Sequence, residues 1–214
     1  MTGLFYIYIC VYYRNVYVQS VSSRVNTYIR LTHSSIDRVD SSLGMGLVLR
    51  NLQTVVPLRR ARMRKDVEIL RHIFGVQRFD MGIICVDNRR IQRINRVYRR
   101  QDRPTDVLAF PFHEDLRPGK MLCVLHRDEY NLGDIFLGVE CVMQQCRDSS
   151  QDLHETLTVV TAHGICHLLG YRHETEEDWN EMQQKESYIL SEFNRLTGRR
   201  LQPLTKRHTH THTL

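Results

Sequence analysis

The sequence has no hydrophobic stretch long enough to cross a membrane as a helix. The apolar run from Leu4 to Tyr13 ends at Arg14, whereas a membrane-spanning helix needs roughly 20 such residues. The run also lacks the positively charged start and the small-residue cleavage site of a secretory signal. We therefore expect no membrane partner.

Paired cysteines are also missing. No Cys-x-x-Cys pair occurs, and the six cysteines are too sparse for a disulfide framework: Cys10, Cys85, Cys123, Cys141, Cys146 and Cys166. We predict reduced thiols in a cytosolic or organellar protein, most of them small core residues. Cys166 lies between two of the histidines discussed below but not on their helical face, so we exclude it as a metal ligand.

The first 44 residues differ in composition from the rest of the chain. No acidic residue precedes Asp37, and six of the ten tyrosines fall in this segment. Scattered Arg and Ser without acids are typical of a mitochondrial transit peptide. An upstream extension before a native start at Met45 explains the composition equally well, so both interpretations of residues 1–44 stay open.

Acidic residues are scarce again between Arg50 and Arg103. This region holds 15 Lys and Arg but only 5 Asp and Glu, in a chain whose net charge is +6. Such an excess favours a polyanionic partner, because Lys and Arg contacts with phosphates drive binding to nucleic acids. Solvated helix faces would produce the same composition without any partner.

The remaining sequence predicts one folded domain over residues 45–204, followed by a disordered, histidine-containing tail over residues 205–214. We predict four strands, at Leu47–Leu52, Phe79–Val86, Asp106–Phe110 and Asp134–Leu137. We predict five helices, at Arg59–Phe74, Asn88–Arg99, Val139–Arg147, Leu153–Leu169 and from Thr175 to about Arg195. Because strands and helices do not alternate strictly, we expect an α+β fold in which a small mixed β-sheet packs with helices.

Three histidines near the end of the fourth predicted helix have the spacing of a metal site. His163 and His167 are four residues apart, so they share one helical face about 6 Å apart along the axis. Gly170 allows a tight turn, after which His173 can fold back as a third ligand. Three protein ligands with one open position are typical of catalytic zinc. We therefore predict one zinc ion per chain, held by this helix and the following loop, and a hydrolytic function.

The glutamate of the common zinc peptidases is absent. Peptidases with an H-E-x-x-H motif carry a general base directly after the first histidine, where this chain has Gly164. A zinc ion lowers the pKa of a bound water to about 7 without such a base, but peptide cleavage would still need a proton for the amine leaving group. Phosphodiester cleavage depends more on charge stabilisation, which zinc and arginine can supply. The absence therefore favours a nucleic-acid substrate.

The stretch His163-Gly164-x-x-His167-Leu168-x-Gly170-x-x-His173 resembles the signature of the YbeY family of ribosomal-RNA maturation endoribonucleases. The segments Pro104–Phe112 and Leu132–Ile135 agree with that family, and the similarity runs from about Met45 to Leu204, most strongly toward vertebrate members. The resemblance implies a zinc-dependent, single-strand-specific endoribonuclease that acts in small-subunit ribosomal RNA maturation and ribosome assembly. It also implies ribosomal RNA and a small-subunit ribosomal protein as partners. Similar animal proteins serve the mitochondrial ribosome, so we expect a mitochondrial protein, with cytosol and nucleus left open.

Carried over by position, the resemblance makes His163, His167 and His173 the zinc ligands, with His163 also counted as catalytic. It places Arg99 beside the metal cleft, where a guanidinium can bind a phosphate through two hydrogen bonds. An arginine on a basic helix is otherwise usually a solvated surface residue.

Two positions depart from the family pattern without removing a ligand. Arg172 replaces an aspartate before the last histidine, which could loosen the orientation of His173, and Ala109 replaces a serine. Asp106 and Asp134 could cap turns or orient ligands, and we leave them out of the catalytic set.

Two other functions remain open. A non-catalytic ribosome-assembly factor would use zinc to hold the fold and arginines to dock RNA or a ribosomal protein. A zinc peptidase would account for the histidines, but not for Gly164 or for the arginine excess.

We predict that residues 1–44 are dispensable for the domain, because the motifs lie downstream of them. A protein that starts at Met45 should fold, bind zinc and act on RNA like the full chain. Fusing residues 1–44 to a fluorescent reporter separates the two interpretations of the segment. A transit peptide should direct the reporter to mitochondria, and uniform cytosolic fluorescence would contradict that interpretation.

Overall fold

The computed structural model describes residues 46–120, 124, 126 and 129–203. The extension predicted for residues 1–44 and the tail predicted for residues 205–214 lie outside the described residues. The four cysteines within the described part are free thiols, as the sequence predicts.

Four short strands in the described part form one mixed sheet. The strands are β1 (Leu47–Asn51), β2 (Asp80–Val86), β3 (Val107–Pro111) and β4 (Asn131–Gly138). Their order is β1-β2-β4-β3. β1, β2 and β4 run parallel, and β3 pairs antiparallel with β4. The expected small mixed sheet is confirmed.

β4 begins three residues earlier than the sequence predicts, and Gly133 is the reason. This glycine has φ of +118°, and a Cβ added to it would lie 2.1 Å from the carbonyl oxygen of Phe110 on β3. Only glycine allows the two strands to approach so closely at this point. A glycine inside a strand often marks such a close approach of two backbones, and here the strand continues past it to Asn131.

Five helices in the described part pack against the sheet. They are α1 (Arg60–Phe74), α2 (Asn88–Arg99), α3 (Val139–Ser149), α4 (Leu153–Leu168) and α5 (Glu176–Thr197). α5 begins with a capping box between Thr175 and Asp178, and Gly198 caps its C-terminal end in the left-handed conformation. The described part of the chain contains no helix that is both long and apolar enough to span a membrane.

The two faces of the sheet carry cores of unequal size. Adjacent residues of β2 point to opposite sides, so that Ile83 joins the large core and Ile84 the small one. The large core includes residues of α1, α3, α4 and α5, whereas the small core is closed by Ile91 of α2. α2 thus buries one apolar stripe and leaves its arginines on the outer side.

α4 is the most deeply buried helix of the described fold. Eleven of its sixteen residues are buried. Apart from the first turn, the two α4 residues that are not buried are His163 and His167. A helix that is apolar on nearly every side is held in place by its surroundings. Both histidines therefore stand on a rigid support.

We predict that Gly164 cannot gain a side chain without loss of stability. A Cβ at this position would lie 2.9 Å from Cδ1 and 3.0 Å from Cγ2 of the buried Ile135. Alanine is the better helix former by about 1 kcal/mol, but overpacking a core costs about 1–3 kcal/mol. Gly164→Ala should therefore lower the free energy of unfolding measured by urea denaturation.

The matched test is a double-mutant cycle with Ile135→Val, which removes Cδ1. The losses of unfolding free energy in the two single variants, added together, should exceed the loss in the double variant by at least about 0.5 kcal/mol. The reason is that valine at position 135 makes room for the new methyl group. Additive losses would show that Gly164 and Ile135 do not compete for the same space.

Candidate metal centre

The three predicted histidines meet at the C-terminal end of α4. His163 and His167 project from the same side of the helix, and the chain then turns at Gly170, whose φ is +87°. A Cβ on Gly170 would lie 2.3 Å from the carbonyl oxygen of Leu116, so glycine is required here for both conformation and space. After this turn His173 folds back toward the other two histidines, as the sequence predicts.

The ring nitrogens of the three histidines converge. The Nε2 atoms of His163 and His167 are 3.0 Å apart, and one ligand nitrogen from each of the three rings lies within 4.8 Å of the others. His163 and His167 are half-buried, whereas His173 is exposed. The cluster is therefore open to solvent on the side of His173.

Hydrogen bonds hold the imidazole rings of the two histidines on α4 at the ring nitrogen that faces away from the cluster. Nδ1 of His167 lies 3.0 Å from the carbonyl oxygen of Tyr171. Because a carbonyl oxygen only accepts, Nδ1 carries the hydrogen and Nε2 keeps its lone pair. Nδ1 of His163 lies 2.5 Å from Oε1 of Glu186 on α5.

The surroundings keep His167 and His173 uncharged. Burial, followed by the charges of His163 and His173, lowers the pKa of His167 to about 3. Burial is also the main cause that lowers the pKa of His173. Neutral imidazole is the form that binds metals, so the cluster does not need to lose protons from these two rings at neutral pH.

The donor set fits a catalytic metal. Three imidazoles are a known ligand set of catalytic zinc, which leaves a coordination position for water or substrate. The same nitrogen donors also suit copper, iron and nickel. The cluster could thus hold a metal ion, and zinc itself stays a prediction.

Arg99 stands close enough to affect the cluster. It is the last residue of α2 and is exposed. Its positive charge contributes to lowering the pKa of both His167 and His173. The neighbouring Tyr98 packs edge-on against Phe110 of β3, with ring centroids 4.8 Å apart, and so anchors this end of α2 to the sheet. The structure brings Arg99 and the histidines into one region, and their catalytic roles stay predictions.

The other residues singled out by the sequence lie around the cluster without joining it. Cys166 is fully buried against Tyr171 and Met182, and burial raises the pKa of its thiol. Arg172 is largely exposed and forms an ion pair with Glu174 at 3.8 Å. Ala109, the other departure from the family pattern, packs against the large core.

The two aspartates that we left out of the catalytic set have other surroundings. Asp106 accepts a hydrogen bond from the backbone nitrogen of Val107 at 2.9 Å and one from the hydroxyl of Thr105, as expected of a turn residue. Asp134 lies over Gly82 of the neighbouring strand, and burial raises the pKa of its carboxyl group.

Glu186 is the residue of this site that the sequence prediction missed. The buried stripe of α5 consists of Trp179, Met182, Glu186, Ile189, Leu190 and Phe193. A carboxylate within an otherwise apolar helical stripe is a detectable signal, because an acid is rarely buried without a partner. The carbonyl of Tyr171 has no comparable sequence signal, since every residue carries one.

Known proteins match most of the described domain. A family model described as Endoribonuclease YbeY matches residues 51–194. A human protein named endoribonuclease YbeY is 57% identical over 162 residues, which are 76% of this chain and 96% of the human protein. A protein of the same name from Acinetobacter baumannii is 37% identical over 139 residues, which are 64% of this chain and 85% of that protein. Among solved structures, the solution structure of a Thermotoga maritima protein matches 76% of this chain and 100% of its own, with a TM-score of 0.44 and 24% identity.

We predict that the purified protein holds about one zinc ion per chain. The double variant His163→Ala/His167→Ala should lose most of the metal, because one imidazole cannot hold the ion alone. The measurement is metal content by plasma mass spectrometry, with folding checked by circular dichroism. His154→Ala, which removes another histidine from α4, should keep its zinc. Stoichiometric zinc in the double variant would rule out this cluster as the metal site.

Proposed function

Since the chain belongs to the endoribonuclease YbeY family, we propose that it is a metal-dependent endoribonuclease that hydrolyses phosphodiester bonds of RNA. We propose zinc as its metal and single-stranded RNA as its substrate. The process we propose is maturation of small-subunit ribosomal RNA during ribosome assembly. The observation that carries the proposal is the convergence of three imidazoles, with Arg99 close enough for its charge to help lower the pKa of His167.

The packing of Gly164 argues against a peptidase. This position follows the first histidine, where an H-E-x-x-H peptidase carries its general base. In this fold the position faces Ile135 in the core, so a glutamate there would point away from the cluster and into apolar packing. The glycine is thus required by the contact between α4 and the sheet. This packing argues against the H-E-x-x-H peptidase arrangement.

The exposed side of α2, whose last residue is Arg99, suits a polyanion. Five arginines of α2 and its C-cap are exposed: Arg89, Arg93, Arg96, Arg99 and Arg100. Arginines on one helix can follow a phosphate backbone, and such contacts supply sequence-independent affinity for nucleic acid. His173 is exposed as well, so a long substrate can approach the cluster without entering a closed cavity.

Four side chains carry the proposed reaction. His163, His167 and His173 would hold the metal, which when bound supplies Lewis acidity and lowers the pKa of water. Arg99 would grip the phosphate through two hydrogen bonds and stabilise the negative charge that develops during cleavage. The lowered pKa of His167 favours the neutral imidazole that binds a metal.

The cellular setting is a further part of the proposal. A mitochondrial location is supported by the absence of acidic residues before Asp37 together with scattered arginines. A small-subunit ribosomal protein is proposed as the partner that brings the enzyme to its RNA.

We predict that Arg99 acts on the cleavage rate more than on RNA binding. Arg99→Ala should slow single-turnover cleavage of a single-stranded RNA by roughly two to three orders of magnitude, comparable to the loss of one oxyanion-hole donor. Binding of the same RNA to metal-stripped protein should weaken far less, because one phosphate contact among many is lost. Arg99→Lys should restore little, since an ammonium cannot form the paired hydrogen bonds.

Arg93→Ala is the matched control, because it removes another exposed arginine from α2. It should weaken binding about as much as Arg99→Ala and leave the single-turnover rate nearly unchanged. If Arg99→Ala lowers affinity and rate equally and lysine restores both, Arg99 only docks RNA. That result would remove Arg99 from the catalytic set, whereas only an absence of cleavage by the original protein would favour the non-catalytic assembly factor.

A further inference from the structure

Glu186 is a buried carboxylate in contact with a candidate metal ligand. Glu186 is 1% exposed, and its Oε1 atom lies 2.5 Å from Nδ1 of His163. Its neighbours along the buried stripe of α5, Met182 and Ile189, are fully buried. The carboxylate thus reaches out of an apolar stripe toward the back of the histidine ring.

The imidazole rings of the two histidines on α4 are oriented in the same way. Both His163 and His167 turn Nε2 toward the centre of the cluster and Nδ1 away from it. The two Nε2 atoms are 3.0 Å apart. Each Nδ1 meets an oxygen, that of the Tyr171 carbonyl for His167 and that of the Glu186 carboxylate for His163. A neutral imidazole carries one hydrogen, so an acceptor at Nδ1 leaves the lone pair on Nε2.

We infer that Glu186 is a positioning residue, which holds the His163 ring with Nε2 directed at the metal and places negative charge behind that ligand. The inference rests on the proposed function only in taking the histidine cluster as the metal site. A carboxylate behind a metal-bound imidazole fixes the ring and raises its basicity as a ligand. α5 therefore contributes to the metal centre although none of its residues is a predicted ligand.

A purely structural role accounts poorly for this carboxylate. Burial of a carboxylate is unfavourable unless it is hydrogen-bonded, and replacing buried charged pairs by apolar residues is often neutral or stabilising. Leucine or methionine at position 186 would continue the apolar stripe of α5. The hydrogen bond to His163 gives the acid a role that an apolar residue could not supply.

Glu186→Gln tests the inference, because it removes the charge and keeps the size of the side chain. Zinc affinity, measured by competition with a chelator, should fall about 10- to 100-fold. The visible absorption spectrum of the cobalt-substituted protein should change, since the negative charge behind His163 is lost and its imidazole becomes a weaker donor. The thermal midpoint of the metal-free protein should change little, because the glutamine oxygen can still accept the hydrogen bond from Nδ1 of His163.

Glu181→Gln is the matched control, because Glu181 lies on the same helix and is exposed. It should bind zinc and cobalt like the original protein. If Glu186→Gln shows the same zinc affinity and the same cobalt spectrum as Glu181→Gln, the inference is overturned.

A measurement on the unaltered protein covers the case in which Glu186→Gln does not fold. In protein loaded with cadmium-113, scalar coupling should connect the metal to Nε2 of His163, with a hydrogen on Nδ1. Coupling to Nδ1 would overturn the inference. RNA cleavage by the zinc-loaded original protein is scored separately. Absence of cleavage there would refute the proposed function and leave the metal-binding result intact.

Discussion

The packing of α4 against the sheet is the contact on which the candidate site depends. Gly164 allows the helix to approach Ile135 so closely that a methyl group would collide. This approach buries the helix beyond its first turn except at His163 and His167. The same contact therefore brings the two rings to the surface and excludes a side chain from the position between them. Stability and site geometry share one cause here.

Three other elements complete the site from different directions. α5 supplies the carboxylate of Glu186 from the buried side, and α2 brings the charge of Arg99 from the opposite face of the sheet. The turn at Gly170 is held against the carbonyl of Leu116, which belongs to the loop after β3. Each contribution is tied to the core through apolar packing or a close backbone contact. The cluster is consequently positioned by packing contacts from several elements of the fold.

Local sequence patterns predict the helices and strands well. They miss the features that depend on contacts between distant parts of the chain. The apolar stripe and capping residues of α5 are visible in the sequence, and so is the i, i+4 spacing of His163 and His167. The parallel pairing of β1, β2 and β4 is not, because it depends on residues more than thirty positions apart. The contact between Glu186 and His163 likewise depends on how α5 crosses α4. The acid in the apolar stripe indicates a partner, but only the packing identifies it.

The turn at Gly170 makes the three ligands unequal in how they would hold and release a metal. Two donors come from a single rigid helix, so they form a preorganised chelate that costs no chain closure. The third, His173, is exposed and lies beyond the turn, so its binding closes a short loop of the chain at an entropic cost. Dissociation of the ion would then start at His173, and the off-rate would depend on this turn more than on the buried helix. A change at the exposed Arg172 would adjust metal exchange without altering the core.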